Sequence, residues 1–276
     1  MTTTALPIVD PAAVGFCPER LDHLDDAMQV EIDAGHYAAI SLMIARHGKL
    51  AKFRRFGYQT LESHVPLRED AIFRIASMTK PIIAAAMMTL YEQGKWQLDD
   101  PVTNFIPEFA ELQVLKDDEL VPLDRPKTMR HLMASCAGFA FGAPVGSTNL
   151  KLDAMYAAAG LFSGTNEDMI AKMAKLPLEA QPGTLFRYGL QQEFQGVIIQ
   201  RISGETLDVF LERRIFAPIG MRDTGFGVAP DDRDRIAPRY ALDGDLRLRL
   251  AADQSPFPVL AGTAAGEKPK YLLSIA

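Results

Sequence analysis

The chain has 276 residues, 48% of them hydrophobic and 23% charged, with 20 Gly and 18 Pro. That is enough to bury a core in one large domain or two lobes, and it excludes a disordered or fibrous chain as the leading reading. Thirty-five acids against 29 bases give a net charge of −6, and no dense Lys/Arg stripe offers a surface for nucleic acid or an anionic membrane.

Taken in order, the first 16 residues lack a basic stretch followed by an apolar one, and Pro7, Asp10 and Pro11 interrupt any such run. Export is not predicted, and the location expected is cytoplasmic. Pro18 to Ala34 spaces Leu21, Leu24, Met28 and Ile32 by three and four, an amphipathic helix stopped at Gly35. Ala38 to Arg46, the turn His47-Gly48-Lys49 and Leu50 to Tyr58 read as a hairpin with a buried first strand. Ser77 to Gln93 is apolar on most faces and reads as a buried helix stopped at Gly94. Its apolar stretch, Pro81 to Leu90, is too short to span a membrane.

Between Trp96 and Leu123, Pro101, Pro107 and Pro122 divide the chain into what read as short helical turns. A further helix is expected from near Thr128 to near Cys136. Gly138, Gly142, Pro144 and Gly146 make 138–149 an expected irregular surface loop, of the kind that borders sites. Gln192 to Ile202 and Thr206 to Phe216 are two more predicted helices, and beyond Pro218 the pattern is mixed and turn-rich. Asp99-Asp100 read as a turn or cap before Pro101, and 231–235 as a solvated, self-compensating loop.

Two cysteines, Cys17 and Cys136, make no disulfide scaffold, and the five histidines lack metal-ligand spacing. Cys136, at an apolar helix end, reads as a packed, inert thiol. The sharpest local feature is Ser77-Met78-Thr79-Lys80. A serine hydroxyl needs a nearby base to become a nucleophile, and a residue three positions on along a helix lies on the same face. The spacing therefore aims the Lys80 amine at the Ser77 hydroxyl, with helix-end amides beside it as oxyanion donors. Pro81 is tolerated only near a helix start, which puts Ser77 at the N-terminus. An N-capping serine has the same spacing, so these residues alone leave cap and nucleophile both open.

Longer phrases decide more. FRIASMTKPIIAAAMMTLYEQGKWQLDDPVTNFIPEF (Phe73 to Phe109), TMRHLMASCAGF (Thr128 to Phe139), QPGTLFRYGL (Gln181 to Leu190), GVIIQRISG (Gly196 to Gly204) and IFAPIGMRDTGF (Ile215 to Phe226) occur in that order. Together they resemble the serine β-lactamase-related hydrolases: class C β-lactamases, penicillin-binding carboxypeptidases and, closest, family VIII esterases.

The resemblance implies a β-lactamase/transpeptidase-like α/β (α+β) fold, an antiparallel sheet flanked by helices plus a mostly helical lobe. It implies one domain over 1–276, with residues 1–76 and 218–276 in the sheet-containing lobe and 77–217 in the helical one. Ser77 becomes the acyl-accepting nucleophile, Lys80 the amine that helps deprotonate it, and Tyr188 the partner base and proton shuttle. Met78, Phe139, Phe141 and Leu190 are expected to line the substrate site. No metal or organic cofactor is implied.

Two departures set the substrate class. Tyr188-Gly189-Leu190 stands where lactamases and carboxypeptidases carry Tyr-x-Asn, which turns the expectation toward small carboxylic esters rather than β-lactam-like substrates. The family's late third motif, KTG-like or a histidine variant, does not occur, so the chain reads as C-terminally short with late sheet strands missing. A strand at 38–46 without its neighbour would expose an edge for self-association. The alternatives are a non-catalytic or impaired family member, and a lactamase or carboxypeptidase.

Overall fold

The computed structural model describes residues 6–142 and 149–251. Among these, residues 6–74 and 228–251 form one compact unit and residues 75–142 and 149–227 form another.

The first unit opens with helix α1 (Pro18–Asp33), which Pro18 starts at its first position and Gly35 ends in the left-handed region at φ 73°. Strands β1 (Ala39–Arg46), β2 (Lys49–Thr60) and β3 (Val65–Pro66) make an antiparallel sheet in that order. The β1–β2 turn falls on His47 (φ 53°) and Gly48 (φ 67°), and two successive left-handed residues suit the twist of a tight hairpin. Pairing runs from Ala39 opposite Gly57 to Arg46 opposite Lys49, with an irregularity between Ile44 and Ala45.

The expectation of a buried first strand is corrected. β1 has no fully buried residue, and Met43 is 60% exposed, whereas β2 carries the buried Leu50, Ala51 and Lys52. The physical reason is position: among the described residues β1 is the sheet's outer strand. Buried Lys52 ties α1 to β2 by donating to the Leu21 carbonyl (2.7 Å) and pairing with Asp25 (2.9 Å) and Asp22 (3.2 Å).

The second unit begins with a 3₁₀ turn, Ala76–Met78, that runs into helix α2 (Thr79–Glu92). Ile83, Ala86, Met87 and Leu90 recur at helical spacing on its buried face, and the Trp96 indole N–H closes on the Met87 carbonyl at 2.9 Å. Two more 3₁₀ turns follow at Val102–Asn104 and Pro107–Phe109. After them comes a hairpin where helical turns were expected: β4 (Gln113–Lys116) and β5 (Glu119–Pro122). Its turn is Asp117-Asp118, both left-handed (φ 48° and 66°), a role aspartate fills less often than the glycine that would have signalled it.

Helices α3 (Met129–Met133), α4 (Leu150–Ala159), α5 (Asn166–Met173), α6 (Gln191–Ser203) and α7 (Leu207–Leu211) complete the lobe, followed by a π-turn at Glu212–Phe216 and a short α8 (Ala217–Ile219). Thr128 and His131 cap α3 reciprocally, Thr165 and Asp168 do the same for α5, and Gly204 ends α6 at φ 72°. α6 is the axis of the core: Phe194, Val197, Ile198 and Ile199 are buried on it. Phe194 meets Phe139 at 4.5 Å and Phe109 at 5.0 Å between ring centroids.

The first unit is rejoined by a 3₁₀ turn, Pro230–Arg235, and the hairpin β6 (Tyr240–Leu242) and β7 (Leu248–Leu250). The loop expected to compensate its own charges does so through Arg235 and Asp232, and it also pairs outside itself. Arg68 reaches Asp234 at 2.6 Å, and Arg235, with its side chain only 13% exposed, bridges Asp70 and Asp232. Backbone bonds from Ile72 to Arg235 and from Ala237 to Ile72 hold the two stretches together, which alternating charge in a sequence cannot reveal. Asp99 and Asp100 divide two roles, an ion pair with Arg130 (3.0 Å) and a turn closed on the Gln97 N–H (2.7 Å). Among the described residues, no helix is long and apolar enough to cross a membrane.

Candidate active site

The site is assembled within the second unit. Ser77 lies in the 3₁₀ turn at the entrance of α2, exposed, with half-buried Lys80 one turn on. The turn is tight enough to hold Ala76 in the left-handed region at φ 43°, a strained position for a residue with a Cβ. Two bonds to the surrounding backbone hold it there: Thr79 Oγ1 donates to the Ala76 carbonyl (2.8 Å) and the Met78 N–H to the Ile75 carbonyl (2.9 Å). The strain presents the Ser77 side chain outward.

Three groups meet there. The Lys80 Nζ donates to Ser77 Oγ at 3.2 Å, and Ser77 Oγ and the Tyr188 hydroxyl share a hydrogen bond of 2.6 Å. The Lys80 amine also stands 4.7 Å from the centre of the Tyr188 ring. Burial pushes the Tyr188 phenol up, and the Glu193 carboxylate adds to that. Hydrogen bonds from Lys80 and Ser77, with the Lys80 charge, outweigh both and leave Tyr188 below the ordinary phenol value.

Tyr188 stands on an irregular segment sewn to the residues after α3. The Glu179 N–H donates to the Gly138 carbonyl (2.8 Å), the Gly183 N–H to Cys136 (2.8 Å) and the Arg187 N–H to Ser135 (2.9 Å). Arg187 is further fixed by an ion pair with buried Glu179 at 2.7 Å, and Gln191 donates back to the Arg187 carbonyl at 3.2 Å. Gly189 is required by contact. A Cβ there would run into the Phe139 carbonyl and come within 3.0 Å of the Ala140 carbonyl and 2.9 Å of Gln191 Oε1. Gly189→Ala is expected to displace the Tyr188 hydroxyl and lower kcat by roughly tenfold to a hundredfold, since misplacement of about 1 Å is that costly. Steady-state kinetics beside a thermal melt will separate this from unfolding.

The four residues expected to line the substrate site part company. Met78 is 69% exposed beside Ser77. Phe139 and Leu190 are corrected: both are fully buried, Phe139 against Phe109 and Phe194, so neither side chain offers a face to a ligand. Phe141 is also buried, and its ring lies 5.9 Å from that of Tyr188, which makes it a support for Tyr188. For the two phenylalanines the reason is shared. Residues 138–142, expected on the surface, run irregularly through the interior, the Gly138 carbonyl accepting from the Glu179 N–H and the Phe139 carbonyl from Gln191 Nε2, while 143–148 lie outside the described residues. Cys136 is half-buried, and its thiol donates to the Ala134 carbonyl at 3.3 Å.

Sequence reading missed the Glu179–Arg187 pair and buried Lys127, which has no spacing signal at all. Among the described residues no three His, Cys, Asp or Glu side chains converge in a group able to hold a metal ion.

Residues 24–266 match the beta-lactamase family. Esterase EstB of Burkholderia gladioli is 31% identical over 213 residues, 75% of this chain and 52% of that protein. Protein Rv1367c of Mycobacterium tuberculosis is 36% identical over 237 residues, 83% of this chain and 58% of that one. Among solved structures, EstCE1, described as a hydrolase with promiscuous acyltransferase activity, superposes with a TM-score of 0.73 at 28% identity, covering 85% of this chain and 60% of that one. The chain thus spans between about half and three-fifths of the length of these relatives. With antiparallel sheet and helices arranged in the β-lactamase/transpeptidase-like α/β fold, the chain belongs to the beta-lactamase family.

Proposed function

We propose that this protein is a serine hydrolase that cleaves small carboxylic esters through an acyl-enzyme on Ser77. The observation that carries the reading is the three-membered contact of Ser77, Lys80 and Tyr188, a hydroxyl hydrogen-bonded at once to an amine and to a phenol of lowered pKa. The Tyr188 oxygen, supported by the Lys80 charge, takes the Ser77 proton as Oγ attacks the ester carbonyl. Collapse of the tetrahedral adduct breaks the carbon–alkoxy bond, and the proton held on Tyr188 passes to the departing alcohol. Water then attacks the acyl-Ser77 carbonyl, giving its proton back through Tyr188, and the acid leaves with Ser77 restored.

The ester preference rests on Leu190, buried where the related lactamases carry an asparagine amide, and on the esterases among the relatives. Exposed Met78, next to Ser77 in the chain, is the apolar side chain assigned to the substrate's acyl group.

Tyr188→Phe tests the assignment. Removing one hydroxyl at a surface-facing position should leave the melting temperature in place and cost on the order of 10²–10⁴ in kcat/KM, the range for a lost general base. In the parent protein kcat/KM should rise with pH through the lowered phenol pKa, because the deprotonated form is the base, and the rise should be absent in Tyr188→Phe. A pH profile of p-nitrophenyl butyrate hydrolysis reads both. An unaltered rise in the variant would assign the base to another group.

A further inference from the structure

The Tyr188 hydroxyl stands 2.6 Å from Ser77 Oγ, yet the stretch that carries it has few bonds of its own. Among the described residues, Tyr188 and Gly189 make no backbone-to-backbone hydrogen bond. The nearest such bonds in sequence run from the Arg187 N–H to the Ser135 carbonyl at 2.9 Å, and from the Glu193 and Phe194 N–H groups to the Leu190 carbonyl at 3.1 and 3.3 Å. With neither ladder nor helix to fix it, the stretch takes its place from what side chains supply.

Gln191 opens α6 and is fully buried, and its Nε2 donates to the Arg187 carbonyl at 3.2 Å and to the Phe139 carbonyl at 3.4 Å. Two acceptors at one end settle which side of the amide carries the hydrogens, and both hydrogens are used. The Arg187 carbonyl and the Tyr188 N–H belong to one planar peptide unit. A bond to the first therefore orients the second, and with it the Cα from which the phenol projects. The Phe139 carbonyl lies 52 residues from Gln191 and belongs to a residue whose ring packs in the core, so the same amide staples the Tyr188 stretch to the interior. The other end of the amide, Oε1, is buried without a hydrogen-bond partner among the described residues. An unpaired buried oxygen costs stability, so packing alone would be served at least as well by an apolar side chain of this length.

We infer that Gln191 is a positioning residue of the active site: its side-chain amide fixes the peptide unit between Arg187 and Tyr188 against the Phe139 carbonyl, and so holds the Tyr188 hydroxyl at Ser77 Oγ. The inference rests on the reading of Tyr188 as the base of the proposed hydrolysis. Its consequence reaches the proton chemistry. Burial and the Glu193 charge push the Tyr188 phenol up, and the hydrogen bonds from Lys80 and Ser77, with the Lys80 charge, hold it below the ordinary value. The remaining charges on the stretch, Arg187 and Glu179, are paired with each other at 2.7 Å. A phenol that swings away from Lys80 and Ser77 loses the lowering contacts and ionises at higher pH.

Gln191→Met in the full chain tests this. The variant keeps the length of the side chain and gives up two donated bonds together with one unpaired oxygen, so a cooperative melt is expected. For p-nitrophenyl butyrate kcat should fall roughly tenfold to a hundredfold, with KM within about twofold of the parent, because the base is displaced and the substrate contacts are not. The second readout is an ultraviolet titration of the phenols. The chain has seven tyrosines, so Tyr188 is read as the difference between each protein and its Tyr188→Phe counterpart. The Tyr188 midpoint should lie higher in Gln191→Met than in the parent, a change that a loss of packing alone would not produce. Should Gln191→Met not fold, Gln191→Asn, which keeps the amide and draws it back by one methylene, is read by the same two measurements with the same directions expected. The titration needs no turnover. A parent without Ser77-dependent hydrolysis whose Tyr188 midpoint still rises in the variant would remove the proposed function and leave the positioning role standing. An unmoved Tyr188 midpoint in a folded variant would overturn the inference, whatever happens to kcat.

Discussion

Ser77→Ala is expected to lower kcat/KM for p-nitrophenyl butyrate by on the order of a thousandfold or more, with the melting temperature unchanged. The size follows from what is deleted. Lys80 and Tyr188 both direct their polar atoms at Ser77 Oγ, at 3.2 and 2.6 Å, so one atom is the hub of the constellation. Without it the general base has only water to activate, and positioning of a nucleophile is lost along with the covalent route. Stability should be spared because Ser77 is exposed and the backbone of its turn is held by Thr79 and Met78 rather than by the serine hydroxyl.

Phe139→Ala should act in the opposite way, as a loss of stability. Its ring is fully buried and packs on Phe194 at 4.5 Å and Phe109 at 5.4 Å. Truncation to the methyl group leaves a cavity that the two remaining rings cannot close, at a cost of about 3–5 kcal/mol in unfolding free energy. It also removes the nearer of the two faces against which the Lys127 amine rests. Denaturant melts of the parent protein and the variant measure the loss. A change in ester selectivity at unchanged stability would restore Phe139 to the substrate wall.

These two residues mark where the sequence was legible. The SxxK spacing, with Pro81 fixing the helix start, places Lys80 against Ser77 because a local repeat of three residues is a geometric statement. Tyr188 is 111 residues away from Ser77, and only the phrase around it brought it into the site. Phe139 was misplaced because a glycine-rich composition signals irregular backbone without saying on which side of the protein it runs, and Leu190 because the resemblance gives its position next to Tyr188 but not the direction of a side chain that has replaced an amide. Here Gly138 and Gly142, both left-handed at φ 83° and 84°, let the chain pass through the interior. The hairpin at 113–122 was illegible for a related reason: its turn uses Asp117-Asp118, and its proline neighbours imitate helical punctuation. The exposed face of β1 depends on which strands pair beside it, which is tertiary information. Lys127 carried no sequence signal, since a lysine buried between aromatic rings reads like any other lysine until the rings are in place.

The claim that orders all of this is covalent acylation of Ser77. Its most direct test is the intact mass of the folded protein, quenched within the first turnover with p-nitrophenyl butyrate, followed by peptide mapping. The account predicts a butyryl adduct on the peptide containing Ser77, formed in step with a burst of p-nitrophenol and absent from Ser77→Ala. A burst whose adduct maps to another residue, or steady hydrolysis by Ser77→Ala at the parental rate, would contradict it.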